Sequence, residues 1–272
     1  MASATSRTPC GGADVLMGDR LTFLGHSTVL VDLDGTRVLT DPLLGHLGSG
    51  AIRRQVPAVL PDALAGLSAV FISHGHLDHL DLASLRALPG EPVIIVPVGL
   101  GRVAAKAARG VVHEMRAGDR LQVGNLMLEA VHAEHSRRRS LFTAAEGALG
   151  LLIVGSTSVY FAGDTDLFPE MERLAGRVDV ALLPVGGWGP RLGRGHLNPS
   201  RAAEAVVRIG PSIATPIHWG TLFPVGLRRV ADRRFQAPGE AFRAAVAARA
   251  ARVDVRILQP GESMPLEGRA GR

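Results

Sequence analysis

Short apolar runs rich in β-branched residues are the feature that most constrains the fold of this chain. In the first half they read RLTFL, TVLVDL, TRVLTD, AVFIS and PVIIVP, and Asp34-Gly35 after the second run is a strong hairpin turn. After a predicted hairpin over residues 121–132, the pattern begins again with LGLLIVG, SVYFAG, DVALLPVG and SIATPIH. Helical segments are predicted at 79–88, 199–209 and 238–250. Two successive strand-rich halves predict an α/β fold with two sheets packed face to face and helices outside.

The length of the chain and its ends set the domain organisation. A chain of 272 residues is long enough for one α/β domain with a substantial core. We predict a flexible N-terminal tail at residues 1–18, one domain over 19–260 and a C-terminal tail at 261–272. Cys10 is the sole cysteine, so no intramolecular disulfide can form, which favours a reducing cytoplasm. The longest apolar runs are far shorter than the ~20 residues that span a bilayer, so no membrane span is predicted.

A cluster of histidines follows the run AVFIS. The stretch from Ser73 to Leu80 reads SHGHLDHL and holds three histidines and an aspartate within six positions. Side chains two apart in an extended loop point the same way, so His74 and His76 could bind one ion. Asp78 and His79, at a predicted helix start, could bind a second. Imidazole and carboxylate are good ligands for zinc and neighbouring first-row metals, so the cluster predicts a metal site.

Two ions need further ligands, and polar residues at the ends of later strands are the candidates. His135, Asp164 and His218 each follow an apolar run, so each should emerge at one edge of a sheet. A carboxylate can bridge two metals, and Asp164 is the best placed residue for that role. His132 competes with His135, but it should still belong to its strand. His46 and His113 show no partner pattern and are predicted to be surface or loop residues.

This constellation resembles the metallo-β-lactamase superfamily, whose metal motif is matched in full by His74-Xaa-His76-Xaa-Asp78-His79. The segments FLGHSTVLVD, TDP, HSRRR, YFAGDTD, HLNP and IHWGT look most like the branch that contains ascorbate-6-phosphate lactonase and N-acyl-phosphatidylethanolamine phospholipase D. The resemblance covers residues 20 to 260. It implies an αββα sandwich of two mixed β-sheets, with the metals at one sheet edge.

The resemblance also implies two divalent metal ions, zinc in the first instance, with Mn²⁺ or Fe²⁺ as alternatives. One ion would be held by His74, His76 and His135, and the other by Asp78, His79 and His218, with Asp164 between them. A shared hydroxide would then attack a carbonyl or a phosphorus. Asp78 would also orient this nucleophile. The presence of His76 favours hydrolysis over the redox chemistry of di-iron relatives.

Further residues are candidates for the surroundings of the metals. Asp41 precedes Pro42 at a strand end and is predicted to orient a ligand histidine through the other ring nitrogen. His26, in GHST, is predicted to face the site. His196 is the candidate for protonating a leaving group or holding a substrate anion. The remaining predicted substrate contacts are two arginines that could bind an anion and two tryptophans that could form apolar walls, although core packing is an equal alternative for the tryptophans: Arg191, Arg194, Trp188 and Trp219.

The function predicted from these residues is a metal-dependent hydrolase acting on a small anionic or acylated molecule, which could be an ester, a lactone or a phosphodiester. One alternative is a nuclease, since the formal net charge is +5, but the positive charge is nearly all arginine and carries little weight. Another is a metal-binding protein without turnover. We therefore expect a small-molecule substrate, do not expect a nucleic-acid partner, and leave a homo-oligomer open.

Overall fold

The computed structural model describes residues 18–47, 52–54, 56–57, 59, 61–135, 147–187, 192–193, 195–225 and 228–267. Its strands are β1 Arg20–Gly25, β2 Thr28–Leu33, β3 Thr36–Thr40, β4 Ile52–Arg54, β5 Ala69–Phe71, β6 Val93–Pro97, β7 Val112–Met115, β8 Arg120–Val123, β9 Leu126–Ala133, β10 Ala148–Val154, β11 Ser158–Phe161, β12 Val180–Pro184, β13 Ile213–Ile217, β14 Leu222–Pro224, β15 Asp254–Val255 and β16 Ser263–Pro265. The helices are α1 Leu82–Ala87, α2 Gly101–Ala104, α3 Pro199–Ile209 and α4 Arg228–Arg249, with 3₁₀ turns at Pro61–Leu64 and Pro169–Leu174.

Two seven-stranded sheets contain most of these strands. The first sheet has the order β16-β1-β2-β3-β5-β6-β7, and the second has the order β15-β13-β12-β11-β10-β9-β8. Strands β3, β5, β6 and β7 run parallel, as do β11, β12, β13 and β15, while the other neighbours within the two sheets are antiparallel. Strands β4 and β14 form a separate two-stranded ribbon. Both sheets are therefore mixed, as predicted.

The two sheets pack face to face because their strands alternate between two buried faces. Val38 and Phe71 point into the layer between the sheets, whereas their neighbours Leu39 and Val70 point outward beneath the helices of the first sheet. Phe71 meets Phe161 of the second sheet edge to face, with ring centroids 6.2 Å apart. On the outer face of the second sheet, a further apolar cluster includes residues of α3 and α4. The predicted αββα sandwich is confirmed.

Turn and cap residues mark the ends of several elements. Asp34 and Gly35 have φ values of 49° and 72°, which are the left-handed angles that a two-residue hairpin requires. Asp81 caps α1 by accepting from the backbone N–H of Ser84, and Asn198 caps α3 by accepting from that of Arg201. These caps matter for function because each helix begins directly after a candidate site segment.

Two predictions about element boundaries are wrong. The strand β16 lies within the segment predicted as a C-terminal tail, because Met264 and Leu266 are buried in the core between the sheets and the strand completes the edge beside β1. Helix α4 begins at Arg228, ten residues before the predicted start at 238. Among the residues that the structure describes, no helix is both long and apolar enough to span a bilayer.

Candidate metal centre

The candidate site residues lie where strands of both sheets end. Ser73 and His74 follow β5, Asp41 follows β3 and His26 follows β1 in the first sheet. In the second sheet, three more residues follow β9, β11 and β13: His135, Asp164 and His218. These strands run in the same direction within each sheet, so their carboxyl ends share one edge. The sequence therefore brings distant polar residues to one edge of the sandwich.

One group of donors consists of His74, His76, His135 and Asp164, whose ligand atoms all lie within 4.8 Å of one another. His76 Nδ1 lies 2.8 Å from His74 Nε2 and 3.3 Å from His135 Nε2. His74 Nε2 lies 3.9 Å from Asp164 Oδ2. This is the set that the resemblance assigned to the first ion, together with the residue expected between the ions.

A second group consists of His26, Asp78, His79 and His218, also within 4.8 Å of one another and all buried. His79 Nε2 lies 3.3 Å from His218 Nε2, and the two nitrogens lie 3.7 Å and 3.8 Å from Asp78 Oδ2. His26 Nε2 lies closer, 3.0 Å from Asp78 Oδ2. The group contains the three residues assigned to the second ion and adds His26, which contacts one of them directly.

Asp164 lies between the two groups. Its Oδ2 is 3.4 Å from His79 Nε2 and 3.9 Å from His74 Nε2, and its Oδ1 is 3.2 Å from His218 Nε2. The Oδ1 atom is buried and has no hydrogen-bond donor of acceptable geometry among the residues described. A buried carboxylate oxygen without a donor is costly, and a cation would satisfy it.

One distance within each group matches the spacing of zinc ligands. Four ligands about 2.0–2.1 Å from a tetrahedral zinc lie about 3.3 Å from one another. The separations of 3.3 Å between His79 and His218, and between His135 and His76, match this value. The His74–His76 pair, at 2.8 Å, is tighter than that spacing. The donor types and two of the spacings therefore fit divalent metal ions.

Each of four histidines is held by the ring nitrogen that does not face the cluster. Nδ1 of His135 donates to the carbonyl of Gly195 at 2.7 Å, and Nδ1 of His218 donates to that of Gly186 at 2.8 Å. Nδ1 of His79 lies 2.6 Å from Asp41 Oδ2, and Nδ1 of His74 lies 2.9 Å from Ser73 Oγ. Metal-binding histidines are usually fixed in this way, because it leaves the lone pair of Nε2 available.

Electrostatics favour the protonation states that a cation needs. Burial, together with neighbouring His218, lowers the pKa of His26 to about 4. Burial and the nearby His135 also lower the pKa of His76 to about 4. Burial raises the pKa of Asp164, but His218 and His79 lower it by more, so the net shift is well below the ordinary value. These histidines are therefore neutral and this carboxylate is ionised, which are the donor states.

His79 differs from the other histidines. Burial lowers its pKa, but the carboxylates of Asp164, Asp41 and Asp78 raise it by more, so that its pKa lies well above the ordinary value. Asp78 shows the matching effect: burial raises its pKa, but His79, His218 and His26 together lower it by more, so that its pKa lies well below the ordinary range. Three carboxylates around one imidazole concentrate negative charge at the centre of the site.

Backbone strain is concentrated at the site. His26, Asp41 and His218 have φ values of 56°, 35° and 62°, in the left-handed region that residues with a Cβ rarely adopt. Hydrogen bonds hold two of them, since the N–H of His218 donates to the carbonyl of His26 at 2.8 Å. The N–H of His26 donates to Thr221 Oγ1 at 2.6 Å. Strain of this kind occurs where surrounding structure fixes a functional geometry.

The end of β9 separates the two candidate histidines, His132 within the strand and His135 after it. His132 is paired with Leu149 within the sheet, and its half-exposed side chain contacts Glu134 and Phe168. His135 lies beyond the strand, where its Nε2 turns toward His76. The geometry therefore favours His135 as the donor, in agreement with the sequence argument.

The other predicted residues have different outcomes. His196 lies at the cluster, with Nε2 3.4 Å from Asp164 Oδ2 and Nδ1 donating to the carbonyl of Gly193 at 3.2 Å. Trp219 does not line the site. It is buried in the outer core of the second sheet, where its indole N–H donates to the carbonyl of Pro216 and its ring packs against Gly239 of α4. Three predicted contacts lie outside the described residues: Trp188, Arg191 and Arg194.

Sequence reasoning missed Ser73 as a site residue. Its hydroxyl lies between Asp41 and His74, and its side chain is fully buried. The only signal in the sequence is its position immediately before the first histidine of the motif. A serine there has many possible roles, so the pattern alone does not identify one.

Comparison with known proteins identifies the family of this chain. Residues 36–219 match the family model of the beta-lactamase superfamily domain. A UPF0173 metal-dependent hydrolase of Methanopyrus kandleri is 34% identical, over 90% of this chain and 98% of that protein. An N-acyl-phosphatidylethanolamine-hydrolyzing phospholipase D of Caenorhabditis elegans is 32% identical, over 75% of this chain and 64% of that protein. Igni18, a metallo hydrolase of Ignicoccus hospitalis, shares the fold with a TM-score of 0.69 at 24% identity, covering 92% of this chain and 99% of that one. The chain therefore belongs to the metallo-β-lactamase superfamily and to its metal-dependent hydrolases.

Proposed function

We propose that this protein is a dinuclear zinc hydrolase that cleaves a small ester, lactone or phosphodiester. The observation that carries the proposal is the pair of adjacent donor groups, each with four ligand atoms within 4.8 Å, that meet at Asp164. One ion is assigned to His74, His76 and His135, and the other to Asp78, His79 and His218. Bound zinc ions would supply Lewis-acid activation of the scissile group and a water molecule of lowered pKa.

The residues of the chain have distinct parts in this proposal. Asp164 supports both ions, because it approaches histidines of both groups. Asp78 orients the nucleophile, and His26 holds its carboxylate through the 3.0 Å contact between Nε2 and Oδ2. His196 is partly exposed at the centre and is assigned to protonate the leaving group or to hold a substrate anion. Asp41 orients His79 through Nδ1.

The substrate class follows from chemistry that a pair of divalent cations performs well. Attack on a carbonyl or a phosphorus creates negative charge that such cations stabilise. The Caenorhabditis elegans relative is named for hydrolysing N-acyl-phosphatidylethanolamine, which supports a phosphodiester among the candidates. We propose a small, anionic substrate, since cations at the centre attract negative groups.

Metal analysis combined with a substrate panel tests the proposal. The purified protein should retain about two equivalents of zinc, and the panel should contain aryl esters, lactones, a generic phosphodiester and RNA. His76→Ala and Asp164→Ala should abolish metal-dependent turnover. His113→Ala is the matched control, because that histidine is exposed on β7 and lies outside both donor groups.

The outcomes separate the alternatives. Retained metal with no turnover of any panel member would favour a metal-binding protein without catalysis. Cleavage of RNA that falls steeply with salt would favour a nuclease. A protein that retains no metal under any loading condition would end the proposal.

A further inference from the structure

Asp41 and Ser73 form a compact hydrogen-bonded pair beneath the donor groups. Both side chains are fully buried. The backbone N–H of Ser73 donates to Asp41 Oδ1 at 2.7 Å, and its hydroxyl donates to Asp41 Oδ2 at 2.6 Å. Both carboxylate oxygens therefore hold Ser73, which leaves its hydroxyl in one orientation.

That orientation determines how His74 is bound. A serine hydroxyl has one hydrogen, and here Asp41 accepts it. His74 Nδ1 lies 2.9 Å from the same oxygen, so the ring must carry its proton on Nδ1 and donate. Nε2 of His74 then presents its lone pair to the first donor group.

The same carboxylate also controls the second group. Asp41 Oδ2, which accepts the Ser73 hydroxyl, lies 2.6 Å from His79 Nδ1 and accepts its proton as well. His79 therefore presents Nε2 to the second donor group. Oδ2 of Asp41 therefore holds one histidine of each group. It contacts His79 directly and reaches His74 through the Ser73 hydroxyl.

We infer that Ser73 is a positioning residue that relays Asp41 to His74, so that a single buried carboxylate fixes the ring orientation of one ligand histidine for each of the two ions. This inference rests on the proposed function for its dinuclear centre. Ser73 Oγ also lies 3.5 Å from His79 Nδ1, but Asp41 Oδ2 accepts that proton at 2.6 Å. An asymmetry follows: loss of the Ser73 hydroxyl affects mainly the ion bound by His74, whereas loss of the Asp41 charge affects both ions.

The local packing supports a specific role for Ser73. Gly163 precedes Asp164, and a Cβ built on it would lie 2.7 Å from Ser73 Cβ. The carbonyl of Ser73 accepts from the N–H of Leu149 at 2.9 Å. Neighbours from the second sheet therefore fix this residue, which itself follows β5 of the first sheet.

Ser73→Ala and Ser27→Ala make a matched pair for the test. Both serines are fully buried, and each adjoins a histidine of one donor group. Ser27 Oγ, however, has no hydrogen-bond partner among the residues described. Each substitution removes one hydroxyl, but only Ser73→Ala removes the relay.

Zinc affinity is the first readout, measured by competition with a chromophoric chelator on each full-length variant. Ser73→Ala should lower the affinity for one of the two zinc ions by about 10–100-fold and leave the affinity for the other within a factor of about two. Ser27→Ala should have the same zinc affinities as the parent. Asp41→Asn should lower the affinity for both zinc ions. Equal affinities for the two serine variants would overturn the inference.

The tautomer of His74 is the second readout and needs no metal. In ¹⁵N NMR of the metal-free protein, His74 should carry its proton on Nδ1 in the parent and in Ser27→Ala, and should lose that preference in Ser73→Ala. An unchanged His74 tautomer in Ser73→Ala would refute the relay. If the parent bound no zinc, the proposed function would fail, yet this spectrum would still decide whether Ser73 sets the tautomer.

Discussion

Replacing Gly163 by alanine should destabilise the protein through two separable effects. Gly163 has φ of 61°, and a left-handed backbone costs a residue with a Cβ about 1 kcal/mol. The new Cβ would also lie 2.7 Å from Ser73 Cβ and 3.0 Å from the carbonyl oxygen of Leu149. Overpacking of this kind costs about 1–3 kcal/mol. The expected total is about 2–4 kcal/mol of unfolding free energy.

Gly210→Ala is the matched control. Gly210 follows the last residue of α3 with φ of 63°, nearly the angle of Gly163, but no atom lies within 4 Å of the position that a Cβ would take there. This substitution should therefore cost only the backbone component, about 1 kcal/mol. The difference in unfolding free energy between the two variants therefore measures the cost of the close contact with Ser73.

Denaturant unfolding of both variants and the parent, each with excess chelator, measures these costs. For a chain of this size, 1 kcal/mol corresponds to roughly 2–4 °C in Tm, so a thermal scan should show at least twice the shift for Gly163→Ala. Zinc affinity should also fall in Gly163→Ala, since Asp164 and Ser73 adjoin the substitution, and stay unchanged in Gly210→Ala. Equal destabilisation by the two substitutions would show that the packing argument at Ser73 is wrong.

Three further predictions follow from the site and its supports. His135→Ala should lower the zinc content by about one equivalent in elemental analysis, whereas His132→Ala should leave it unchanged, because the half-exposed His132 faces Glu134; a loss in both would refute the choice of His135. Asn198→Ala should lower the unfolding free energy by about 1 kcal/mol in denaturant titrations, because α3 loses its cap, and zinc stoichiometry should not change. Removal of metal with a chelator should lower Tm, and zinc should restore it, since a ligand of the native state stabilises that state; an unchanged Tm would argue against a metal held by both sheets.

Much of the fold could be predicted because the hydrophobic pattern and the turn residues agree. Asp34-Gly35 marks a hairpin by chemistry alone, and the alternation in strands such as β3 follows from burial on two faces. The strand β16 was missed because three residues carry too little pattern, and its stability comes from pairing with β1 at the other end of the chain. The early start of α4 was missed because Pro238 is typical of a helix start, whereas here it lies inside the helix.

The convergence of the candidate donor residues at one edge could be predicted for a different reason. Polar residues that follow apolar strands must emerge at a sheet edge, and His135 could be preferred to His132 because it lies beyond its strand. The contacts that orient these donors could not be predicted in the same way. The bond of 2.6 Å between Ser73 and Asp41 and the bond of 3.0 Å between His26 and Asp78 join residues far apart in sequence. Trp219 takes the alternative of core packing, because adjacency to His218 in the chain does not determine which face a side chain takes.

Each donor group contains residues that follow strands of both sheets, so both sheets must be in place before either group is complete. His74 and His76 follow β5 of the first sheet and meet His135, which follows β9 of the second. His79 also follows β5, and it meets His218 after β13 of the second sheet. Neither half of the chain holds a complete donor set, so on the dinuclear proposal a nascent polypeptide would bind metal ions only after the later strands had docked. Metal binding would then be a late step of folding, because it would require the two sheets to be packed together.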